Sequence, residues 1–210
     1  TGAVSPLAGT TVTVQGVVVG DFEGPSGTLR GFYLQSATPD ADPATSEGIF
    51  VFNGGGGDLI SVGQLVRVTG AVSEFQGQTQ ISTSNAQVLV CGTASVVPTD
   101  VMLPFADAAW PERYEGMLVR LPQVLTVTEH FQLGRFGQVV LSVDGRQAQP
   151  TNVVAPGAAA IALDAANRLG RIILDDPLQT QNPDPILFGR SGLPLSASNT
   201  LRGGDTASGI

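Results

Sequence analysis

The densest group of hard oxygen ligands is Thr38-Pro-Asp-Ala-Asp-Pro-Ala-Thr-Ser-Glu47, which brings Asp40, Asp42 and Glu47 into one loop between two apolar runs. Carboxylates so spaced suit calcium, a cation that takes oxygen ligands. The full EF-hand spacing is absent, and Asp and Pro also shape turns through their own backbone, so a solvated turn is the alternative. Asp175-Asp176 is a weaker pair, because aspartates after a strand commonly cap the next element. His130 stands beside Glu129 and has the chemistry of a general base. No GxSxG elbow and no second histidine accompany it, so a structural histidine is the expectation. Cys91 ends an apolar run and is expected as a buried small hydrophobe.

Counting residue types removes other chemistries. All ten cations are arginine, which excludes Schiff-base enzymes and the GxxxxGK[ST] phosphate loop, since both need an ε-amino group. One histidine and one cysteine exclude a Cys/His zinc cluster and an intrachain disulfide. The net charge of −8 opposes coating of bulk nucleic acid but leaves room for a local arginine-lined groove. No apolar run approaches the ~20 residues that span a bilayer, so no membrane insertion is expected. The chain starts at Thr1 without a basic and apolar leader, which reads as a processed chain or a piece of a longer one.

These residues must be positioned by β structure, because 27 glycines and 14 prolines punctuate many short β-branched runs. The first strand is Thr11 to Phe22, with Val12, Val14 and Val18 sharing a parity. Gly16 between them suggests a bulge or bend, a device that curls one long strand round a small barrel. Next come Leu29 to Gln35, Gly48 to Phe52, a glycine turn at 54–57, and Val62 to Phe75, where Val66, Val68 and Val72 share one face. Thr79 to Thr83 follows, and Ala86 to Val90 closes the set. The pattern predicts a mainly β protein with an OB-fold, a five-stranded partly open barrel, over residues 1–92.

A second β-rich, OB-like unit is expected over 93–176. It contains runs at 117–121, 123–128, 137–143 and 171–175, and one helix near 157–169 that Pro156 starts and Gly170 stops. Residues 177–210 are rich in Pro, Gly and Ser and read as a linker with the truncated start of a further unit.

In an OB-fold the aromatic residues have a second use. Tyr33 has the parity opposite to Phe32 and Leu34, and Phe50 and Phe52 the parity opposite to Ile49 and Val51, so one set faces inward and the other outward. Outward rings beside Arg30 and Arg67, with Phe75 on the next strand, would offer stacking planes and cations to a single nucleic-acid strand. Core packing is the competing role for most of the phenylalanines. Residues 1–92 carry seven acids and two arginines, a net of −5, so strong affinity is not expected from this barrel alone.

With Ser5-Pro-Leu-Ala-Gly9, Val12 to Phe22, Gly31-Phe-Tyr-Leu-Gln35, Asp40 to Phe52 and Val62 to Phe75 laid out, the chain resembles the N-terminal region of ExeM/NucH-type extracellular endonucleases. Glu115-Gly-Met-Leu-Val119, Leu125-Thr-Val-Thr128, Arg135-Phe-Gly137, Gln149-Pro-Thr151, Ile173-Leu-Asp-Asp176 and Leu201-Arg-Gly-Gly-Asp205 extend the resemblance over nearly the whole chain. The resemblance implies a noncatalytic, secreted OB-bearing portion that precedes a metal-dependent nuclease domain. Such hydrolysis needs histidines and convergent carboxylates round a divalent cation, which one histidine cannot supply. Two functions follow as expectations. In one, the module guides DNA weakly to its own C-terminal nuclease domain. In the other, it is an interaction module that docks on that domain, a cell surface or a polysaccharide matrix.

Overall fold

In a computed structural model the chain is described at residues 4–55 and 57–210. Gly56, inside the glycine turn expected at 54–57, lies outside the described residues. The chain divides into two compact units, one of residues 1–99 with 111–119 and the other of residues 100–110 with 120–210.

The first unit is built on β1 (Thr11–Phe22), β2 (Gly31–Gln35), β3 (Gly48–Phe52), β4 (Gln64–Phe75), β5 (Gln78–Ser82) and β6 (Val88–Thr93). The strand order is β1-β2-β3-β5-β4, and β4 returns to pair with β1, so five strands form a ring. Every contact in the ring is antiparallel except β3 with β5. This ring is the mainly β, barrel-like fold expected of residues 1–92. One strand serves two neighbours because β1 pairs with β4 from Thr11 to Val17 and with β2 from Val17 to Phe22. Gly16 sits where the partners change; a Cβ there would stand 2.9 Å from the Gln35 carbonyl oxygen. The bulge falls three residues further on, where the register slips between Val18 and Gly20.

Alternation along the strands fills the barrel. Val18, Phe32, Leu34, Val51, Val66, Val68 and Ile81 form its core with Ile60, and Val12 and Val14 pack against them. The valine faces expected of β1 and β4 therefore point inward, as a half-buried pleat requires. Two expectations are corrected. The 86–90 run does not close the barrel: β1 and β4 do, and β6 lies beyond the ring, paired among the described residues with β4 alone. Cys91 is exposed, because it is the extra residue where the β4–β6 register slips on this outer strand.

The two-residue strands β7 (Thr99–Asp100) and β8 (Val119–Arg120) pair with each other. The second unit carries β9 (Leu125–Glu129), α1 (Leu133–Phe136), β10 (Val139–Ser142), α2 (Ala158–Leu169), β11 (Arg171–Leu174) and β12 (Thr206–Ala207). Its four-stranded antiparallel sheet is open, in the order β11-β10-β9-β12. The expected helix is α2, started after Gly157 and stopped at Gly170, whose N–H donates to the Ala166 and Asn167 carbonyls. Residues 177–210, expected as a linker, belong instead to the second compact unit. Ile186, Phe188, Leu195, Leu201, Ala207 and Ile210 pack against the core of Leu125, Val127, Val139 and Leu141. β12 adds the last strand beside β9, and the Arg190 guanidinium fixes its approach by donating twice to Asp205, at 2.8 and 3.1 Å. The apolar residues of this segment are too widely spaced to read as strands, yet each finds a place on an existing core.

Candidate nucleic-acid interface on the barrel

The outward face of β1, β2 and β3 carries the rings. Tyr33 pairs with Gly20 on one side and Phe50 on the other, and its ring meets Phe22 edge-on at 5.8 Å and Phe50 at 4.9 Å. Such edge and tilted contacts suit ring quadrupoles. Phe52 lies further along β3 with the Arg30 guanidinium 5.4 Å above its ring centroid, within cation–π range. Arg30 also donates through Nε (3.0 Å) and Nη2 (2.6 Å) to the Gly54 carbonyl. Its backbone holds φ 60°, an uncommon conformation for a non-glycine residue, which fixes the side chain across the β3 end.

The face is partly covered by the chain itself. Phe50 points outward yet is only 6 % exposed. Its cover is the segment 111–118, which belongs to the same unit. The Ser46 hydroxyl donates to the Glu115 carbonyl at 2.6 Å, and Leu118 N–H donates to Gln35 Oε1 at 2.8 Å. Gly116, at φ 71°, lies against the backbone of Gly48 and Ile49 and the Tyr33 ring, where a Cβ would stand 3.3 Å from Tyr33 Cδ1. A pocket of about 250 Å³ remains between Phe50, Thr79, Glu112, Glu115 and Val4 to Pro6. Burial pushes the Glu115 carboxyl above its ordinary range, and Glu112 and Glu74 add repulsion.

The expected residues thus separate. Arg30, Tyr33, Phe50 and Phe52 share one face. Arg67 is exposed on β4 between Gln15 and Leu89, away from that group. Phe75 is 55 % exposed at the β4–β5 hairpin. Beside Phe52 runs a shallow groove of about 500 Å³ along one rung of the sheet: Phe52 pairs with Ser82, Ser82 with Ala71, and Ala71 with Thr11. Thr69, Gly70, Thr83, Ser84 and Gln87 complete it, and among the described residues no charged side chain lines it.

In the acidic loop the carboxylates hold backbone. Asp40 accepts from Asp42 N–H at 2.7 Å, Asp42 from Ala44 N–H at 2.9 Å, and Glu47 from Asp40 N–H at 2.6 Å. Among the described residues the carboxylates that converge are others: Asp21, Glu23 and Asp58 each bring an oxygen within 4.8 Å of the rest, a spacing a hard divalent cation accepts. Glu23 also accepts from Asn53 Nδ2 and from the N–H groups of Leu59 (2.8 Å) and Ile60 (3.1 Å), tying the β3–β4 loop to the end of β1. Burial, with repulsion from Glu23 and Asp58, raises the Asp21 carboxyl above its ordinary value. Sequence reasoning missed this group because Asp58 comes from a distant loop; the Asp-x-Glu pair at the end of β1 was the one local signal.

His130 is exposed after β9, its carbonyl accepting from Leu133 N–H. Asp175 accepts from Gln138 Nε2, and Asp176 caps the following turn by accepting from Leu178 N–H. Among the described residues no helix is long and apolar enough to cross a membrane. Comparison of the chain with protein-family profiles, curated proteins and solved structures finds no match.

Proposed function

We propose that the chain is a noncatalytic accessory module whose OB barrel weakly engages single-stranded nucleic acid and guides it toward a metal-dependent nuclease domain of the same secreted protein. The resemblance set out above supplies the nuclease context. The binding reading is carried by the Phe52 ring under the Arg30 guanidinium, beside an open groove on the outward face of the barrel. Stacking one base is worth about 1–3 kcal/mol. With one arginine at hand and Tyr33 and Phe50 partly covered, a few kcal/mol in all corresponds to millimolar affinity.

Anisotropy of labelled oligo-dT at low salt tests this. Binding in the high micromolar to millimolar range is expected, weakened at least fivefold by Arg30→Ala or Phe52→Ala. Absence of binding up to millimolar protein, or affinity indifferent to both variants, refutes the assignment. The second reading, docking on a polysaccharide matrix, draws on the uncharged groove, since hydroxyls beside one ring suit sugars and OB-folds also take oligosaccharides. Neutral glycans retarding the protein in affinity electrophoresis, with DNA inert, favour it.

A further inference from the structure

We infer that the first unit carries a second binding site, a pocket between the acidic loop and the segment 111–118, and that it takes a peptide segment bearing a lysine or arginine. The pocket holds about 720 Å³ and lies wholly inside that unit. Pro39, Pro43, Val96 and Met117 supply apolar walls, Tyr114 adds a ring, and Asp40, Asp42 and Glu47 line the acidic side. Ligand sites commonly combine such walls with a few placed polar groups. Gln35 is the group that calls for a ligand. It lines the pocket, shares the outward parity of Tyr33 on β2, and is only 3 % exposed. Its Oε1 accepts from Leu118 N–H at 2.8 Å, which fixes the amide, while Nε2 donates to no described residue. A buried amide donor is costly to leave unmatched, and what it lacks is a carbonyl or hydroxyl oxygen.

Main chain and charge together select a peptide. On the wall at residues 95–97 the backbone N–H groups of Ser95, Val96 and Val97 also donate to no described residue. Main-chain donors in sequence, with an amide nearby, match the carbonyls of a bound peptide backbone. Among the described residues three carboxylates line the pocket against one cation, Arg113. The loop's own hydrogen bonds use one oxygen each of Asp42 and Glu47, so Asp42 Oδ2 and Glu47 Oε2 accept from no described residue. No salt bridge of the described residues reaches this loop. Its carboxylates do not converge as those of Asp21, Glu23 and Asp58 do, so the charge is spread along a wall rather than gathered round a point. That distribution suits an organic cation on a long stem: the head meets Asp42 and Glu47, the methylenes lie on the prolines and Met117, and a main-chain carbonyl accepts from Gln35 Nε2.

Isothermal titration of the full chain with the capped peptide acetyl-Ala-Leu-Lys-Leu-Ala-amide at low salt tests the inference. A Kd on the order of 0.1 mM is expected for so short a segment. The same peptide with glutamate in place of lysine should not bind, a control that leaves the protein untouched. Asp42→Asn and Glu47→Gln keep the oxygens that hold the loop backbone and remove its charge; each should weaken binding at least fivefold, with thermal melts matching the wild type. n-Butylamine, which offers the cation without the peptide backbone, should bind at least tenfold more weakly than the peptide. No binding up to millimolar peptide overturns the inference, as does equal binding of the lysine and glutamate peptides, or indifference to both loop variants. Butylamine binding as tightly as the peptide overturns the peptide assignment. The site stands apart from nucleic-acid binding: Arg30→Ala should leave the peptide titration unchanged.

Discussion

Replacing Gly48 by alanine should release the segment 111–118 from the outward face of β3. The added Cβ would overlap the Gly116 carbonyl group and stand 2.6 Å from Met117 N. Carbon contacts need about 3.5 Å or more, so the segment must move by about 1 Å or more, and the offending atoms are backbone that no rotamer change can relieve. Strand β3 is bonded on both sides, by β2 and β5, so the covering segment gives way. Its attachment is the Ser46–Glu115 and Leu118–Gln35 hydrogen bonds, about 1 kcal/mol each. Uncovering roughly half of the Phe50 ring adds ~100 Å², or about 2.5 kcal/mol at ~25 cal/mol per Å². The loss is therefore about 4.5 kcal/mol, confined to this contact. Hydrogen exchange should show residues 115–118 losing protection while β2 and β3 keep theirs, and Tyr33 fluorescence should become more accessible to quencher. Unchanged protection of 115–118 in a folded Gly48→Ala protein would refute the reasoning.

Two further outcomes concern stability. Because the Asp21 carboxyl is raised in the folded state, the unfolded chain loses that proton first, and stability falls as pH climbs from the ordinary aspartate range through the folded value. Asp21→Asn should therefore stabilise the protein at pH 7 and lose that advantage below pH 3.8, which paired denaturant titrations at the two pH values will show; equal effects at both would count against a carboxyl raised by burial and by the neighbouring Glu23 and Asp58. Gly137→Ala meets a left-handed φ of 71° and a Cβ 2.6 Å from Asp176 Cγ, so a loss of about 2–4 kcal/mol is expected by thermal melting, partly restored by adding Asp176→Ala. A neutral Gly137→Ala would contradict that packing.

The barrel was legible because its code is short-range: alternation grouped Val66, Val68 and Val72 on one face and set Tyr33, Phe50 and Phe52 on the face opposite Phe32, Leu34, Ile49 and Val51, and pleating keeps these groups together whatever the neighbours are. What escaped depends on which strand finds which. The β1–β4 pairing makes β6 redundant for closure, and nothing in the 86–90 run distinguishes a closing strand from an outer one. Parity could set Phe50 opposite Ile49 and Val51 but could not reveal that a segment more than sixty residues later covers it. In the acidic loop, Asp40, Asp42 and Glu47 match cation spacing and turn chemistry equally well, and their hydrogen bonds to backbone show the second role. The tail failed for a related reason: single apolar residues such as Ile186 and Leu195 carry no periodicity, although each joins a core that is already framed.

The strand β12 sets an order of events for folding. Its partner β9 comes at the start of the second unit, and α1, β10, α2 and β11 all lie between them. While the chain is being synthesised, β9 must wait with one edge unsatisfied until residue 207 is available, whereas β10 can reach it almost at once. Pairing across so long a span is entropically slow and non-local. The second unit should accordingly form its β9–β10–β11 meander first and acquire its last strand in a separate, slower step, during which the edge of β9 is open to wrong partners.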